Sequence, residues 1–201
     1  KDFLPGMTET EQIQSLLQQI ALQNSQAAYR QLFIRLHKPL IRFAYGILKS
    51  TDDAEEVVSD VFMSIWQNRL KLASIEAPLL YIYTSVKNRS INVLTKQKRQ
   101  DAADAAQWLV PLNSVSFNPE ELMISQETVL RIRKAIDELP ARCRLIFMLI
   151  KEDGLRYKEV AELLNISVKT VEAQMAIAMR RIAVCMQLRL PSSERVKFSQ
   201  K

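Results

Sequence analysis

Glycine stands at only three positions of this 201-residue chain, Gly6, Gly46 and Gly154. A phosphate-cradling loop needs several glycines for close backbone approach, and a turn-rich all-β fold needs them at its turns, so both are excluded. Helical spacing is what remains, and it runs almost end to end. Thr8-Glu9-Thr10-Glu11 has capping-box spacing, after which Ile13, Leu16, Leu17 and Ile20 fall on one face. Ser25 is placed to cap a second helix carrying Tyr29, Leu32, Phe33 and Leu36. Pro39 is expected to interrupt or restart it before Leu40, Phe43 and Ile47. Ser50 or Thr51 starts a third helix through Val58, Val61, Phe62, Ile65 and Trp66; a fourth begins near Pro78 and runs to about Lys98.

The pattern changes once. Residues 101–118 hold no Lys or Arg, two Asp, one proline and scattered Asn and Ser, the composition of a linker. Net charge is +4 over 1–100, −2 over 101–118 and +4 over 119–201. That is two basic helical modules on an acidic tether, with a single compact fold as the alternative. Asn118-Pro119-Glu120-Glu121 reads as N-cap, first-turn proline and first-turn acids. Leu122, Val129, Ile132, Ile136 and Leu139 mark the buried side of that helix, and Pro140 starts the next, with Ile146, Phe147 and Ile150 inside. Asp153-Gly154 ends it, and two further helices are divided at Asn165. The expected architecture is therefore all-α. It has one small helical domain over 1–100, a linker over 101–118, a second over 119–190 and a polar, mobile tail over 191–201.

A net charge of +6 points to an anionic partner, nucleic acid first. With His37 the single histidine, a His-based metal cluster or catalytic triad is excluded, and no residue set assembles into an active site. The expectation is a non-enzyme with no metal and no cofactor. Cys143 and Cys185 are far apart and read as buried thiols of a reducing compartment. No apolar run approaches the ~20 residues that span a bilayer, and no signal-peptide pattern opens the chain. A cytoplasmic protein without membrane insertion is expected.

The strongest local signal is a helix-turn-helix from Tyr157 to Ile182. Its first helix buries Val160, Ala161, Leu163 and Leu164, and the small Ala161 lets two helices cross closely. Asn165 suits the left-handed position that ends a helix, and Ser167 suits the N-cap of the next. In that second helix Val171, Met175, Ala178 and Ile182 share a narrow sector. Lys169, Ala173, Ala176 and Arg180 point the other way, flanked by Thr170 and Glu172. A face small in its middle and basic at its ends sits deep in a major groove. Lys169 would donate to guanine, Glu172 accept from cytosine, and Ala173 or Thr170 touch a thymine methyl. Arg180 and Arg181 come later and suit phosphate.

The helix beginning near Pro78 is also two-sided. Tyr83, Val86, Ser90 and Leu94 share one side. Tyr81, Ser85, Asn88, Asn92 and Arg99 line the other, flanked by Lys87, Arg89, Lys96 and Lys98. Aromatic faces stack unpaired bases, amides read exposed base edges and cations track the backbone, so this stripe suits single-stranded DNA. It is equally the pattern of an amphipathic surface helix with a basic C-terminal end. Asp52, Asp53, Glu55, Glu56 and Asp60 crowd another helix start, matching no calcium loop. With Val57, Val61, Met63 and Trp66 among them, they read as a protein-binding face.

Four segments, in order, carry a resemblance. They are Asp53-Ala-Glu-Glu-Val-Val-Ser-Asp-Val-Phe62, Tyr81-Ile-Tyr-Thr-Ser-Val-Lys-Asn88, Leu139-Pro-Ala-Arg142 and the run Gly154 to Glu172. Together they resemble the bacterial extracytoplasmic-function (ECF) sigma factors, small sigma factors that keep only the second and fourth sigma regions. The likeness covers about residues 25–190. It implies that Asp53, Glu56, Asp60, Phe62 and Trp66 bind the β′ clamp helices of core RNA polymerase. It implies that Tyr81, Ser85, Lys87, Asn88, Arg89, Asn92, Lys96 and Arg99 melt and hold the −10 element, with Asn88 near a captured base. Ser167, Lys169, Thr170, Glu172, Ala173, Arg180 and Arg181 would read the −35 element, with this domain seated on the β-flap and the linker threading toward the RNA exit path. Tyr81, Ser85, Arg89 and Asn92 depart from the family's usual residues, which bears on the −10 sequence preferred. The run Val168-Lys-Thr-Val-Glu172 is similar to sigma factors of the Bacteroidetes, which implies a FecR-like anti-sigma partner. The other readings of the residues are a stand-alone helix-turn-helix regulator binding an operator as a dimer and a protein-interaction adaptor.

Overall fold

A computed structural model describes residues 9–72, 74–100 and 126–185, with side chains over 10–72, 74–96 and 131–185. The described residues form helices and connecting turns, with no strand among them. The helices are α1 (Glu9–Gln23), α2 (Gln26–Leu48), α3 (Thr51–Gln67), α4 (Arg69–Leu72) and α5 (Pro78–Gln100), then α6 (Gln126–Asp137), α7 (Ala141–Lys151), α8 (Tyr157–Leu164) and α9 (Val168–Cys185). The expected linker 101–118, the Asn118-Pro119 start, Leu122, the Val129 side chain and the tail 191–201 lie outside the described residues.

Local chemistry sets the helix ends. Ser25 Oγ accepts from the Ala28 N–H at 3.2 Å and opens α2; Ser50 Oγ accepts from the Asp53 N–H at 3.2 Å and opens α3. Lys49 closes α2 at φ 61°, its N–H donating to Tyr45 O at 2.9 Å. Pro39 does not interrupt α2, which runs through it. An internal proline costs about 3 kcal/mol. The stripe Leu32, Leu36, Leu40 and Phe43 is buried along the whole helix, and at about 1.5–3 kcal/mol per buried side chain it offsets that loss. The four-residue α4 is too short to show periodicity and was not expected.

In the first module α2 is central, packed by α1, α3 and α5. Ile13, Leu16, Leu17 and Ile20 of α1 meet the α2 stripe, with Val58 and Val61 of α3 and Ile82, Tyr83 and Val86 of α5 closing the core. Tyr29 fixes α2 against α3: its hydroxyl donates to Phe62 O at 3.0 Å, and its ring stands edge-on to Trp66 at 5.2 Å. In the second module α9 packs on α6, α7 and α8 around Cys143, Ile146, Leu163, Val171 and Met175. Cys143 is buried and its thiol donates to Gln174 O at 3.2 Å, whereas Cys185 is only half-buried.

The modules touch. Helix α5 lies against α8. The Arg42 guanidinium reaches Glu152 Oε2 at 3.0 Å and Asp153 Oδ1 at 2.6 Å, and Lys87 Nζ donates to Leu163 O at 2.9 Å. The structure thus has the two basic modules docked rather than held apart.

Candidate nucleic-acid interface

The turn between α8 and α9 is Asn165-Ile166-Ser167. Asn165 takes φ 53° and ψ 52°, the left-handed geometry, and Ile166 N–H returns to Ala161 O at 2.9 Å. Ser167 Oγ accepts from the Thr170 N–H at 3.1 Å and lies 2.8 Å from Thr170 Oγ1, so Ser167 caps α9 and Thr170 is held beside it. At the other end, buried Glu159 accepts from the Arg156 N–H at 2.7 Å and from its guanidinium at 2.8 Å. That cap was missed in the sequence, because arginine is not an N-cap residue by type.

Val171, Met175 and Ala178 of α9 are buried and Ile182 half-buried, while Lys169, Glu172, Ala173, Ala176, Arg180 and Arg181 are exposed. The expected inner and outer faces are the observed ones. Burial, and then the charge of Glu172 on α9, push the Tyr157 hydroxyl above its usual value.

On α5, Tyr83, Val86 and Ser90 are buried as expected, and the opposite side is open. Tyr81 is 40% exposed; Asn88, Asn92 and Lys96 are exposed, and Ser85 and Arg89 are half-buried. Lys87 is turned instead to α8, and the Arg99 side chain lies outside the described residues. Tyr81, Ser85, Asn88 and Arg89 line a cavity of about 220 Å³ whose other wall is Val61, Ser64 and Ile65 of α3. That is below the ~300–1,000 Å³ of pockets for drug-sized ligands and suits a single ring system. Ser85 Oγ donates to Tyr81 O at 2.8 Å, holding one lip of the cavity.

The acidic side of α3 is only partly as expected. Glu56 and Asp60 are exposed and Asp53 half-buried, but Phe62 is 2% exposed and does not offer itself to a partner. Val58, Phe62 and Ile65 share the inward face at helical spacing, so Phe62 supports the face from beneath. Val57 and Val61 are buried too, which leaves Met63, 57% exposed, as the apolar residue among the carboxylates. Trp66 is half-buried, with the Arg69 guanidinium 5.0 Å from its ring centre. Phe33, expected on the apolar stripe of α2, is instead 36% exposed; its ring lies 4.4 Å from His37 and 4.8 Å from Phe62. Arg89 pairs with Asp60 at 3.1 Å across the α3–α5 groove.

Among the described residues no group of His, Cys, Asp and Glu could hold a metal ion, and no helix is long and apolar enough to cross a membrane.

Residues 32–100 match the Sigma-70 region 2 family, and residues 130–182 match the Sigma-70, region 4 family. The ferric citrate uptake sigma factor FecI of Escherichia coli (strain K12) is 27% identical over 143 residues, 71% of this chain and 80% of FecI. The ECF RNA polymerase sigma-E factor of the same strain is 27% identical over 157 residues, 74% of this chain and 81% of sigma-E. A solved structure of CnrH in complex with the cytosolic domain of CnrY is similar at TM-score 0.49 and 18% identity, over 88% of this chain and 97% of that one.

Proposed function

Since the chain belongs to the sigma-70 family, as an ECF sigma factor for promoter-specific transcription, we propose that its two modules divide the promoter between them. Helix α9 reads the −35 element as duplex, with Lys169, Thr170, Glu172 and Ala173 toward base edges and Ser167, Arg180 and Arg181 toward phosphate. The open side of α5 melts and holds the −10 element. The observation that carries this is the cavity between α3 and α5, where an aromatic ring, an amide and a guanidinium converge beside the exposed stripe. A base leaving the stack loses a few kcal/mol, and a pocket that stacks it and binds its edge offsets that loss.

The exposed carboxylates Glu56 and Asp60, half-buried Asp53 and Trp66 form the face for the β′ clamp helices, and the second module seats on the β-flap. Phe62 acts there through packing. The chain carries out no chemistry; the polymerase does. It works in the cytoplasm without a cofactor, and an anti-sigma factor, FecR-like in type, holds it inactive. Met63 among the carboxylates supports a face that takes protein partners.

The test is gel filtration of the full chain with bacterial core RNA polymerase. Stable co-elution is expected. Separate elution of the two would overturn the polymerase-binding assignment and move the reading to a stand-alone regulator.

A further inference from the structure

Arg42 and Lys87 both belong to the first module, and both are committed to the second. The Arg42 side chain is 16% exposed and contacts two consecutive carboxylates, Glu152 and Asp153, just after α7; that of Asp153 is 3% exposed. The segment presenting them is pinned: Asp153 N–H donates to Met148 O at 3.0 Å, Leu155 N–H to Leu149 O at 2.9 Å, and Gly154 takes φ 76° between them. Tyr83 of α5 is fully buried, close enough to Asp153 for that charge to act on its hydroxyl. One turn along α5, Lys87 meets Leu163 O, one of the last-turn carbonyls that a helix leaves for outside donors. Leaving one of these charges buried without its partner would be strongly destabilising, so parting the modules must return both to water.

Size decides which of them works on DNA. Elements named −10 and −35 lie about 25 base pairs apart, about 85 Å of duplex at ~3.4 Å per pair. A compact chain of this length has a radius of gyration of about 16 Å, hence a diameter of about 43 Å. A docked chain cannot lay α5 and α9 on both elements together.

We infer that Arg42 with Glu152 and Asp153, and Lys87 with the Leu163 carbonyl, form a latch that docks the modules in the free protein and must open before both promoter elements are engaged. Opening also returns Lys87 to the open stripe of α5, so release of the second module adds a cation to the −10 face. The role of the open state rests on the sigma-factor reading; the latch itself does not.

Small-angle X-ray scattering of the full chain tests it. Arg42→Ala should raise the radius of gyration and the maximum dimension, with Arg42→Lys between it and the parent chain and helical ellipticity unchanged. If Arg42→Ala loses ellipticity, Lys87→Ala replaces it as the opening variant, since Lys87 Nζ reaches the Leu163 carbonyl across the same contact. Scattering that stays the same in a folded opening variant would overturn the latch, whatever the co-elution result. Failure of the parent chain to co-elute with core polymerase would instead sink the sigma-factor role and leave the latch standing. An opened variant should also bind core polymerase several-fold more tightly, because the docked fraction no longer lowers the apparent affinity.

Discussion

Arg89 of α5 pairs with Asp60 of α3 at 3.1 Å, joining the helix assigned to the −10 element to the helix assigned to polymerase. The Arg89 side chain is 41% and the Asp60 side chain 52% exposed, so solvent screens the pair and its contribution to stability is at most about 1 kcal/mol. Asp60→Ala should therefore leave the thermal midpoint nearly unchanged while weakening association with core polymerase. Parallel melting curves and polymerase titrations check this, and a large drop in midpoint would mean that Asp60 is structural.

Phe62 predicts the reverse. It is buried under Phe33 and His37, and its carbonyl accepts from Tyr29. Phe62→Ala should cost about 3–5 kcal/mol of folding stability, as large-to-small core changes do. Urea unfolding of the variant measures it. A loss below about 1 kcal/mol, with polymerase binding abolished, would show that the ring meets the polymerase directly.

Asn88 lines the cavity and is exposed. Asn88→Ala should slow open-complex formation while leaving closed-complex binding nearly intact. Permanganate footprinting of unpaired thymines reads the difference. Normal melting in the variant would remove Asn88 from the −10 role.

On α9, Lys169 and Glu172 are exposed and take no part in the second module's core. Lys169→Ala and Glu172→Ala should each cost about 1–3 kcal/mol at one position of the −35 element and relax preference there. Binding to a panel of single-base promoter variants checks both. An unchanged ranking would show that another face of α9 reads the DNA.

The docked contact also predicts a pH dependence. Burial pushes the Glu152 carboxyl up from its ordinary 4.5 to about 7, against the pull of Arg42 and with Asp153 and Asp137 adding to the rise. The neighbouring Tyr83 hydroxyl is held well above its usual range by burial and by Asp153. A carboxyl that holds its proton more tightly when docked makes docking take up a proton. This stabilisation is complete below about pH 4.5 and is lost as pH rises to about 7. The docked fraction, read by scattering, should fall from pH 5.5 to pH 7.5, conditions set roughly either side of that transition. Glu152→Gln should flatten the response, and an unchanged slope in that variant would assign the titration to another group.

Much of this was legible in the sequence because helices are local. Ser25, Ser50 and Ser167 cap the helices they precede, and Asn165 takes the left-handed turn. The two faces of α9 follow from a period of 3.6 alone. The same logic misjudged Pro39, because a local rule cannot weigh a helix-breaking residue against an apolar stripe on both sides of it. The resemblance alone places Phe62 on the partner face, whereas its helical spacing from Val58 and Ile65 sets its ring inward.

The sequence by itself determined the all-α class, the serine caps of α2, α3 and α9, the inner and outer faces of α5 and α9 and the basic character of both modules, since each depends on neighbours within a few residues. Only the tertiary structure decided that Lys87 leaves the stripe for Leu163 and that Arg42 closes on Asp153, contacts 76 and 111 residues apart in the chain. Contacts at that separation depend on how whole helices pack, and no local period or spacing encodes which carbonyl or carboxylate a lysine or arginine will reach.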